Sequence, residues 1–213
     1  SLRGGAPPRQ RPGRREATRL PGFGEGVGMK QTEIGEIPED WEVETLGGLA
    51  EMKSGAGITS ASISEDAEYP CFGGNGLRGF TSTKTHSGEF PLIGRQGAHC
   101  GNVQFASGEF FASEHAIVLT AKTNVFPLWL NYILTIRNLN QLSESSAQPG
   151  LSVTKLRALT YPKPAEEGEQ KAIASIIQDV VFDIEGIEVQ LQKTKALKQG
   201  MMQELLTGRT RLI

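Results

Sequence analysis

A heptad pattern near the C-terminus constrains this chain more than any other stretch of its sequence. Between Glu169 and Leu206 the seam positions recur at alternating steps of four and three residues, as they do in a coiled coil. No proline interrupts the segment. At 1.5 Å per residue the predicted helix would be about 55 Å long. The pattern runs through Ile173, Ile177, Val180, Ile184, Ile187, Leu191, Thr194, Lys198, Met201 and Leu205.

The apolar seam needs a partner helix, because an apolar face of this length is not stable against water. The sequence predicts no second helix of matching length, so we expect the partner to belong to another molecule. Thr194 and Lys198 weaken the seam, and Leu197 can take the core position there through a local shift of register. The predicted dimer interface consists of Ile173, Ile177, Val180, Ile184, Ile187, Leu191, Met201 and Leu205.

Composition narrows the class of protein. The chain has 213 residues and a formal net charge of −2. It lacks the roughly 18 consecutive apolar residues of a membrane span and has no signal-peptide core. Cys71 and Cys100 are the only cysteines and have no CxxC spacing, so we expect a reduced, cytoplasmic protein without a bound metal. A zinc site shared by these cysteines, His86 and His99 would require irregular ligand spacing.

Residues 1–28 are rich in arginine, proline and glycine and have no apolar periodicity. Such a segment cannot bury enough apolar surface to offset its ordering entropy, so we expect it to be disordered. It is either a basic arm that contacts phosphates or a non-native leader that precedes a translation start at Met29. The second interpretation is the expected one.

Residues 29–164 are predicted to form a mixed, mostly antiparallel β domain with flanking helices, and residues 165–213 the long helix. The fold class is therefore α+β. Short apolar runs separated by glycine turns predict strands at 69–72, 77–81, 90–94, 101–105, 109–112, 115–119 and 159–162. Helices are predicted at 45–52, with Thr45 as N-cap, at 127–142, with Pro127 in the first turn, and at 151–158.

Several local patterns follow one another in an order that is specific to one family. The matching text is IGEIPEDW at 34–41, LIGRQG at 92–97, EQ at 169–170 and ELLTG at 204–208. In these segments the chain resembles the DNA-specificity (S) subunits of type I restriction–modification systems. The resemblance covers about residues 30–212.

The resemblance implies a fold and a function. Such subunits have two target recognition domains, each reading half of a bipartite DNA site, and two long helices that act as a molecular ruler. This chain has one of each, so it resembles a half-length form, either natural or truncated, that pairs with itself through antiparallel helices. The implied partners are double-stranded DNA, methyltransferase (M) subunits and, through them, the restriction (R) subunit. S-adenosylmethionine is expected on the methyltransferase subunit and no cofactor in this chain.

The glycine-rich window 70–104 supplies side chains suited to reading DNA. Arginine and lysine match guanine, asparagine and glutamine match adenine, and cations bind phosphates. Within the window, Arg78, Lys84 and Arg95 stand against one acid, Glu89. Arg95 and Gln96 are the best candidates for base contacts, because Gly94 and Gly97 flank them. The candidate DNA-binding residues are Lys53, Asn75, Arg78, Thr83, Lys84, Arg95, Gln96 and His99.

Each of these residues also has an ordinary structural interpretation. Arg95 can instead pair with an acid such as Glu114, and Asn75 before Gly76 fits a turn. Lys53 and Lys84 fit a solvated surface.

Catalytic motifs are not found in the sequence. There is no GxSxG elbow, HExxH, P-loop or Asn/Asp-Pro-Pro-aromatic motif, so we predict no catalytic residues. The main alternative function is a coiled-coil interaction module whose β domain binds a protein or peptide, which the acidic balance favours. A hydrolase that uses the histidines and cysteines is a weaker alternative.

Overall fold

The computed structural model describes residues 28–97, 100–143 and 150–211, and within them the fold is α+β, as predicted. Strands β1 (Met29–Thr32) and β2 (Gly35–Pro38) form a hairpin, and β3 (Glu42–Thr45) pairs with β10 (Thr160–Lys163). A six-stranded sheet contains β4 (Ala50–Ser54), β5 (Tyr69–Gly73), β6 (Gly76–Thr81), β7 (His86–Gly94), β8 (Val103–Ala112) and β9 (Ala116–Ala121). Its order is β4-β9-β7-β8-β5-β6, and its pairs are antiparallel except for β5 with β8.

Four α-helices accompany the strands in the described residues. They are α1 (Leu46–Leu49), α2 (Pro127–Ile136), α3 (Val153–Arg157) and α4 (Glu167–Leu206). Short 3₁₀ turns occupy Ser60–Ser62 and Leu139–Leu142. None of the described helices is both long enough and apolar enough to cross a membrane.

The strand pairing shows that the β7–β8 hairpin is strongly bent. Phe110 of β8 lies opposite His86, whereas Ala116 of β9 lies opposite Gly94, at the other end of β7. If β7 were flat, His86 and Gly94 would lie about 26 Å apart. The link from Ala112, the last residue of β8, to Ala116, the first residue of β9, can span at most about 14 Å. The paired Gly88 and Gly108 have φ of +129° and +81°, which favours glycine at both positions. The bend returns the end of β8 to the start of β9.

The core lies on both faces of the central strands. Ile93 pairs in register with Ile117, and both pack with Trp129 and Leu130 of α2 in the larger cluster. Leu92 precedes Ile93 and Val118 follows Ile117, so both lie on the opposite face of the sheet. They pair with each other and contribute to a second cluster with Phe110. The central strands are therefore buried on both faces, whereas residues of the edge strands β4 and β6, such as Lys53 and Arg78, remain exposed.

The predicted helix 45–52 is wrong in its length. The Thr45 hydroxyl does cap the helix, accepting a hydrogen bond from the Gly48 N–H at 3.0 Å. The helix ends at Leu49, however, and the chain continues as β4, where buried Ala50 and Met52 alternate with exposed neighbours. The segment forms a strand and not a continuation of the helix because β4 pairs with β9 over its whole length.

Other predicted elements also differ in their bounds. Helix α2 begins at Pro127 as predicted but ends at Ile136, because Arg137 has the extended ψ of 132°. The two strands predicted at 101–105 and 109–112 are one strand, β8, which continues through the Gly108 bend. Strands β1, β2 and β3 were not predicted, and residues 144–149 of the predicted loop lie outside the described residues.

The long helix is confirmed, with 40 residues in α4. Its first turns pack on the domain. Ile173, which is predicted for the dimer interface, is partly buried against the core of its own domain, and Ile177 is half-buried. Residues 178–204 are exposed throughout. This exposed part contains five of the predicted dimer-interface residues, namely Val180, Ile184, Ile187, Leu191 and Met201. Leu205 beyond it is half-buried.

Candidate nucleic-acid interface

Several strand ends meet at one end of the six-stranded sheet. The backbone N–H of Arg95, just after β7, donates to the carbonyl of His115, just before β9, at 2.8 Å. The N–H of Gly55, just after β4, donates to the Ala116 carbonyl at 3.0 Å. We call the polar side chains gathered here the strand-end cluster, and it consists of Ser54, Asn75, Arg78, Arg95, Gln96, Asn102, Glu114 and His115.

Arg95 is anchored within the strand-end cluster by a side-chain and a backbone hydrogen bond. Its Nη1 donates to Ser54 Oγ at 3.0 Å, and its carbonyl accepts from the Leu151 N–H at 2.9 Å. A guanidinium has five N–H donors, so this arrangement orients the group while using only part of its donor capacity. The alternative partner, Glu114, is engaged elsewhere: it accepts from the Ile58 N–H at 3.3 Å and lies 3.3 Å from His115 Nε2.

Gln96 extends the cluster next to Arg95. Its Oε1 lies 3.2 Å from His115 Nδ1, and its side chain is exposed. Gly74 of the β5–β6 turn approaches the same segment closely. A Cβ atom at Gly74 would lie 3.1 Å from the Gln96 carbonyl oxygen and 3.3 Å from that of His115. A larger residue at Gly74 would therefore require the turn and these two carbonyl groups to separate by a few tenths of an ångström.

The β5–β6 turn adds Asn75 and Arg78. Gly74 and Asn75 form the two-residue loop between paired Gly73 and Gly76, so the turn interpretation of Asn75 is confirmed. Its side chain nevertheless takes part in the cluster, because Asn75 Oδ1 accepts from Asn102 Nδ2 at 3.2 Å. The exposed Arg78 side chain lies against the backbone of Gly73.

Two of the other predicted DNA-binding residues, Thr83 and Lys84, lie apart from the cluster. Thr83 and Lys84 follow β6, at the end of the β5–β6 hairpin opposite to its turn. Lys84 forms an ion pair with Glu109, and the hydrogen bond to this carboxylate raises the pKa of Lys84. Lys53 is adjacent to Ser54 on the edge strand β4, with Nζ 3.7 Å from Glu51. His99 lies outside the described residues.

The list of candidate DNA-binding residues omitted four members of the cluster, namely Ser54, Asn102, Glu114 and His115. Asn102 does lie in the basic window 70–104, but the other three lie outside it. His115 is only half-buried and precedes β9 instead of lying within it. The one local signal was that Asn102, Glu114 and His115 lie at or next to the start of a predicted strand, which becomes informative only when the strand order is known. Ser54 follows a predicted helix and had no such signal.

The cluster is rich in hydrogen-bond donors. Arg78 and Arg95 contribute two permanent positive charges, against the one carboxylate of Glu114. Three amide side chains, Gln96 and the two asparagines, supply both donors and acceptors. Such a combination matches base edges and phosphates, whose acceptors are numerous.

His86 belongs to an aromatic group. Its ring stacks on Phe110, with centroids 5.3 Å apart and planes at 12°, and lies edge-on to Phe90. Burial lowers the pKa of His86. Among the described residues, no group of three or more His, Cys, Asp or Glu side chains is arranged to hold a metal.

This environment predicts that the folded state is sensitive to acid. Because the pKa of His86 is lowered on folding, the unfolded chain binds a proton more readily, so stability falls as the pH drops below the ordinary histidine value of about 6.5. His86→Phe keeps a ring to stack on Phe110 and should reduce this loss. Urea unfolding of both proteins at about pH 7.5 and about pH 5.5 measures it. An equal acid loss in both proteins would contradict the assignment.

Known proteins resemble the chain over most of its length. A family model described as the type I restriction modification DNA specificity domain matches residues 38–198. The EcoprrI type I restriction enzyme specificity subunit of Escherichia coli is 47% identical over 138 residues, which are 63% of this chain and 34% of that protein. A putative type I specificity subunit, MjaX, of Methanocaldococcus jannaschii is 29% identical over 84% of this chain and 48% of its own length.

A solved structure has the same fold. The type I restriction–modification S subunit from M. genitalium aligns with a TM-score of 0.66 at 17% identity, over 85% of this chain and 46% of that one. The chain thus spans at most about half the length of these relatives. The family model covers well over half of the chain, and the chain therefore belongs to the type I restriction–modification DNA-specificity family.

Proposed function

We propose that this chain reads one half of a bipartite DNA target as the sequence-specificity subunit of a type I restriction–modification complex. The strand-end cluster is the observation that carries the proposal. It joins Arg95, held by Ser54, with the exposed Gln96 and with the turn residue Asn75 on a single surface. Side chains that are already oriented lose little further freedom when they bind a base edge.

The roles of the cluster residues and of the two lysines outside the cluster follow from side-chain chemistry. Arg95 is suited to the two acceptors of guanine, and Gln96 or Asn75 to the donor and acceptor of adenine. Arg78 and Lys53, on the two edge strands of the sheet, are suited to phosphates. Lys84 is less suited, because its charge is already paired with Glu109.

The second part of the proposal is a homodimer joined by α4. Residues 178–204 expose the heptad seam, and an apolar surface of this kind is stabilised by a partner helix. An antiparallel pair of α4 helices would form a rod with one recognition domain at each end. Two copies would together supply about the length of the relatives that this chain matches at 46–48% of their extent. The dimer would then read a symmetric, interrupted site.

The remaining partners follow from the family. In this proposal the chain positions methyltransferase subunits and, through them, the restriction subunit, and has no catalytic role of its own. S-adenosylmethionine would bind the methyltransferase subunit. The complex would act on DNA in the cytoplasm. The names of the relatives, which are specificity subunits of restriction enzymes, support this assignment.

Selection from random DNA tests the proposal. The chain is purified together with its methyltransferase subunits, DNA bound by the complex is recovered from a random library, and the recovered molecules are sequenced. We expect two identical half-sites in opposite orientation at a fixed distance, and binding that weakens steeply with salt. Recovery of random sequence, or binding that is insensitive to salt, would overturn the proposal and favour a protein- or peptide-binding module.

Arg95→Ala should change the recovered sequence. We expect a loss of about 1–3 kcal/mol of binding free energy and relaxed discrimination at one base position in each half-site. Arg95→Lys should recover charge but not bidentate geometry. Lys84→Ala, which removes an equal charge outside the cluster, is the matched control and should leave base preference unchanged. An unchanged base preference in Arg95→Ala would exclude Arg95 from base contacts.

A further inference from the structure

A buried glutamine joins the long helix to the recognition domain. Gln170 lies in the first turns of α4 and is fully buried. Its Oε1 accepts from the Phe126 N–H at 2.8 Å, and its Nε2 donates to the carbonyls of Asn124 at 3.0 Å and Pro164 at 3.3 Å. One side chain thus binds the start of α2 and the segment that precedes α4.

Neighbouring residues on α4 strengthen the same joint. Trp41 Nε1 donates to Glu169 Oε1 at 3.2 Å, which ties the helix to the segment between β2 and β3. Lys171 Nζ lies 5.7 Å from the centre of the Phe126 ring, and Ala174 is fully buried in the larger core cluster. Residues 178–204 of the helix are exposed. The buried contacts between α4 and its own domain therefore lie in the first turns of the helix.

Glutamine is well matched to this position. Its amide supplies an acceptor for one backbone N–H and donors for two carbonyls, and each of these bonds has a fixed direction. A leucine would be apolar enough for burial but would leave the three backbone groups unpaired. A buried apolar contact would permit several helix orientations, whereas three directed hydrogen bonds at one residue favour one.

We propose that Gln170, supported by the Trp41–Glu169 hydrogen bond, is the positioning residue that sets the spacing between the two half-sites. This inference rests on the proposed homodimer. In that dimer the two paired helices form the rod, and the angle between rod and domain determines where each strand-end cluster meets the DNA. Gln170 itself lies in the buried joint.

A small change in the angle between the rod and the domain is sufficient to change the spacing between the half-sites. A domain of this size has a radius of gyration of about 14 Å, so a recognition surface lies on the order of 20 Å from its joint. A tilt of about 10° moves such a surface by about 3.5 Å, which is the rise of one base pair. A joint that varies by this amount would therefore accept spacers that differ by a base pair or more.

The test compares spacer lengths among recovered DNA molecules. The chain carrying Gln170→Leu is purified with its methyltransferase subunits and used in the selection described above, beside the wild type and Gln178→Leu. Gln178 is an exposed glutamine on the same helix beyond the joint, so it is the matched control. We expect one spacer length for wild type and control, and at least two neighbouring lengths for Gln170→Leu, with the same half-site sequence in all three.

The outcomes separate the two proposals. A wild type with no fixed spacer overturns the proposed ruler and this inference with it. A wild type with a fixed spacer and an equally narrow distribution for Gln170→Leu overturns the inference alone. If Gln170→Leu does not fold, Trp41→Phe replaces it, because it removes only the indole N–H of the joint. A wild-type distribution in Trp41→Phe would then overturn the inference.

Discussion

Ile184→Glu and Leu191→Glu, introduced together, should convert the proposed dimer into monomers. Both residues are exposed seam positions on α4 and would face the partner helix. The substitutions place four carboxylates in an apolar interface, where each lacks a partner and loses hydration. We expect the dissociation constant to rise by a factor of at least about 10³, or about 4 kcal/mol. Sedimentation velocity over a range of concentrations measures this change.

Phe182→Glu is the matched control for the seam variant. Phe182 is also an exposed apolar residue of α4, but two residues turn the helix by about 200°, so it lies opposite to Ile184. It should leave the dimer intact. Monomers in Phe182→Glu and a stable dimer in the seam variant would place the interface on the opposite face. Monomers in the wild type would overturn the homodimer.

Gln170→Leu should lower the free energy of unfolding of the chain by about 2–4 kcal/mol. The loss has a specific source: the Phe126 N–H and the Asn124 and Pro164 carbonyls lose their partner in a region that is wholly or partly buried. Leucine retains the apolar volume, so a cavity contributes little. Urea unfolding followed by circular dichroism measures the difference.

Gln178→Leu is the matched control, because it makes the same substitution on the same helix outside the buried joint. Because Gln178 is exposed, we expect a change within about 0.5 kcal/mol. Equal stabilities for Gln170→Leu and Gln178→Leu would show that the buried amide contributes nothing to folding. Such a result would still leave the spacer measurement as a separate test of its positioning role.

Local sequence patterns predicted the elements whose stabilising contacts are close in sequence. The α4 helix, the Pro127 start of α2 and the Asn75 turn depend on residues within a few positions of one another, and all three are confirmed. The predicted helix 45–52 was wrong for the opposite reason. Pairing with β9, about 70 residues further along the chain, draws Ala50–Ser54 into a strand.

The candidate site was predictable only in part. Arg95, Gln96, Asn75 and Arg78 could be named because their residue types suit DNA and glycines surround them. Their grouping could not be foreseen, nor could the separation of Lys84. Arg95 meets Ser54 across 41 residues of sequence, and Asn102 meets Asn75 across 27. These meetings depend on the order of the strands and on the bend at Gly88 and Gly108.

The long helix with its apolar seam could be read from the sequence, because a helical period is encoded by neighbours three and four residues apart. The attachment of that helix to the domain depends instead on contacts between distant parts of the chain. Gln170 finds its partners 44 and 46 residues away in sequence, and Glu169 finds Trp41 128 residues away. Such contacts form only when distant segments of the chain come together in one core. A pattern of residues three or four positions apart therefore cannot predict them.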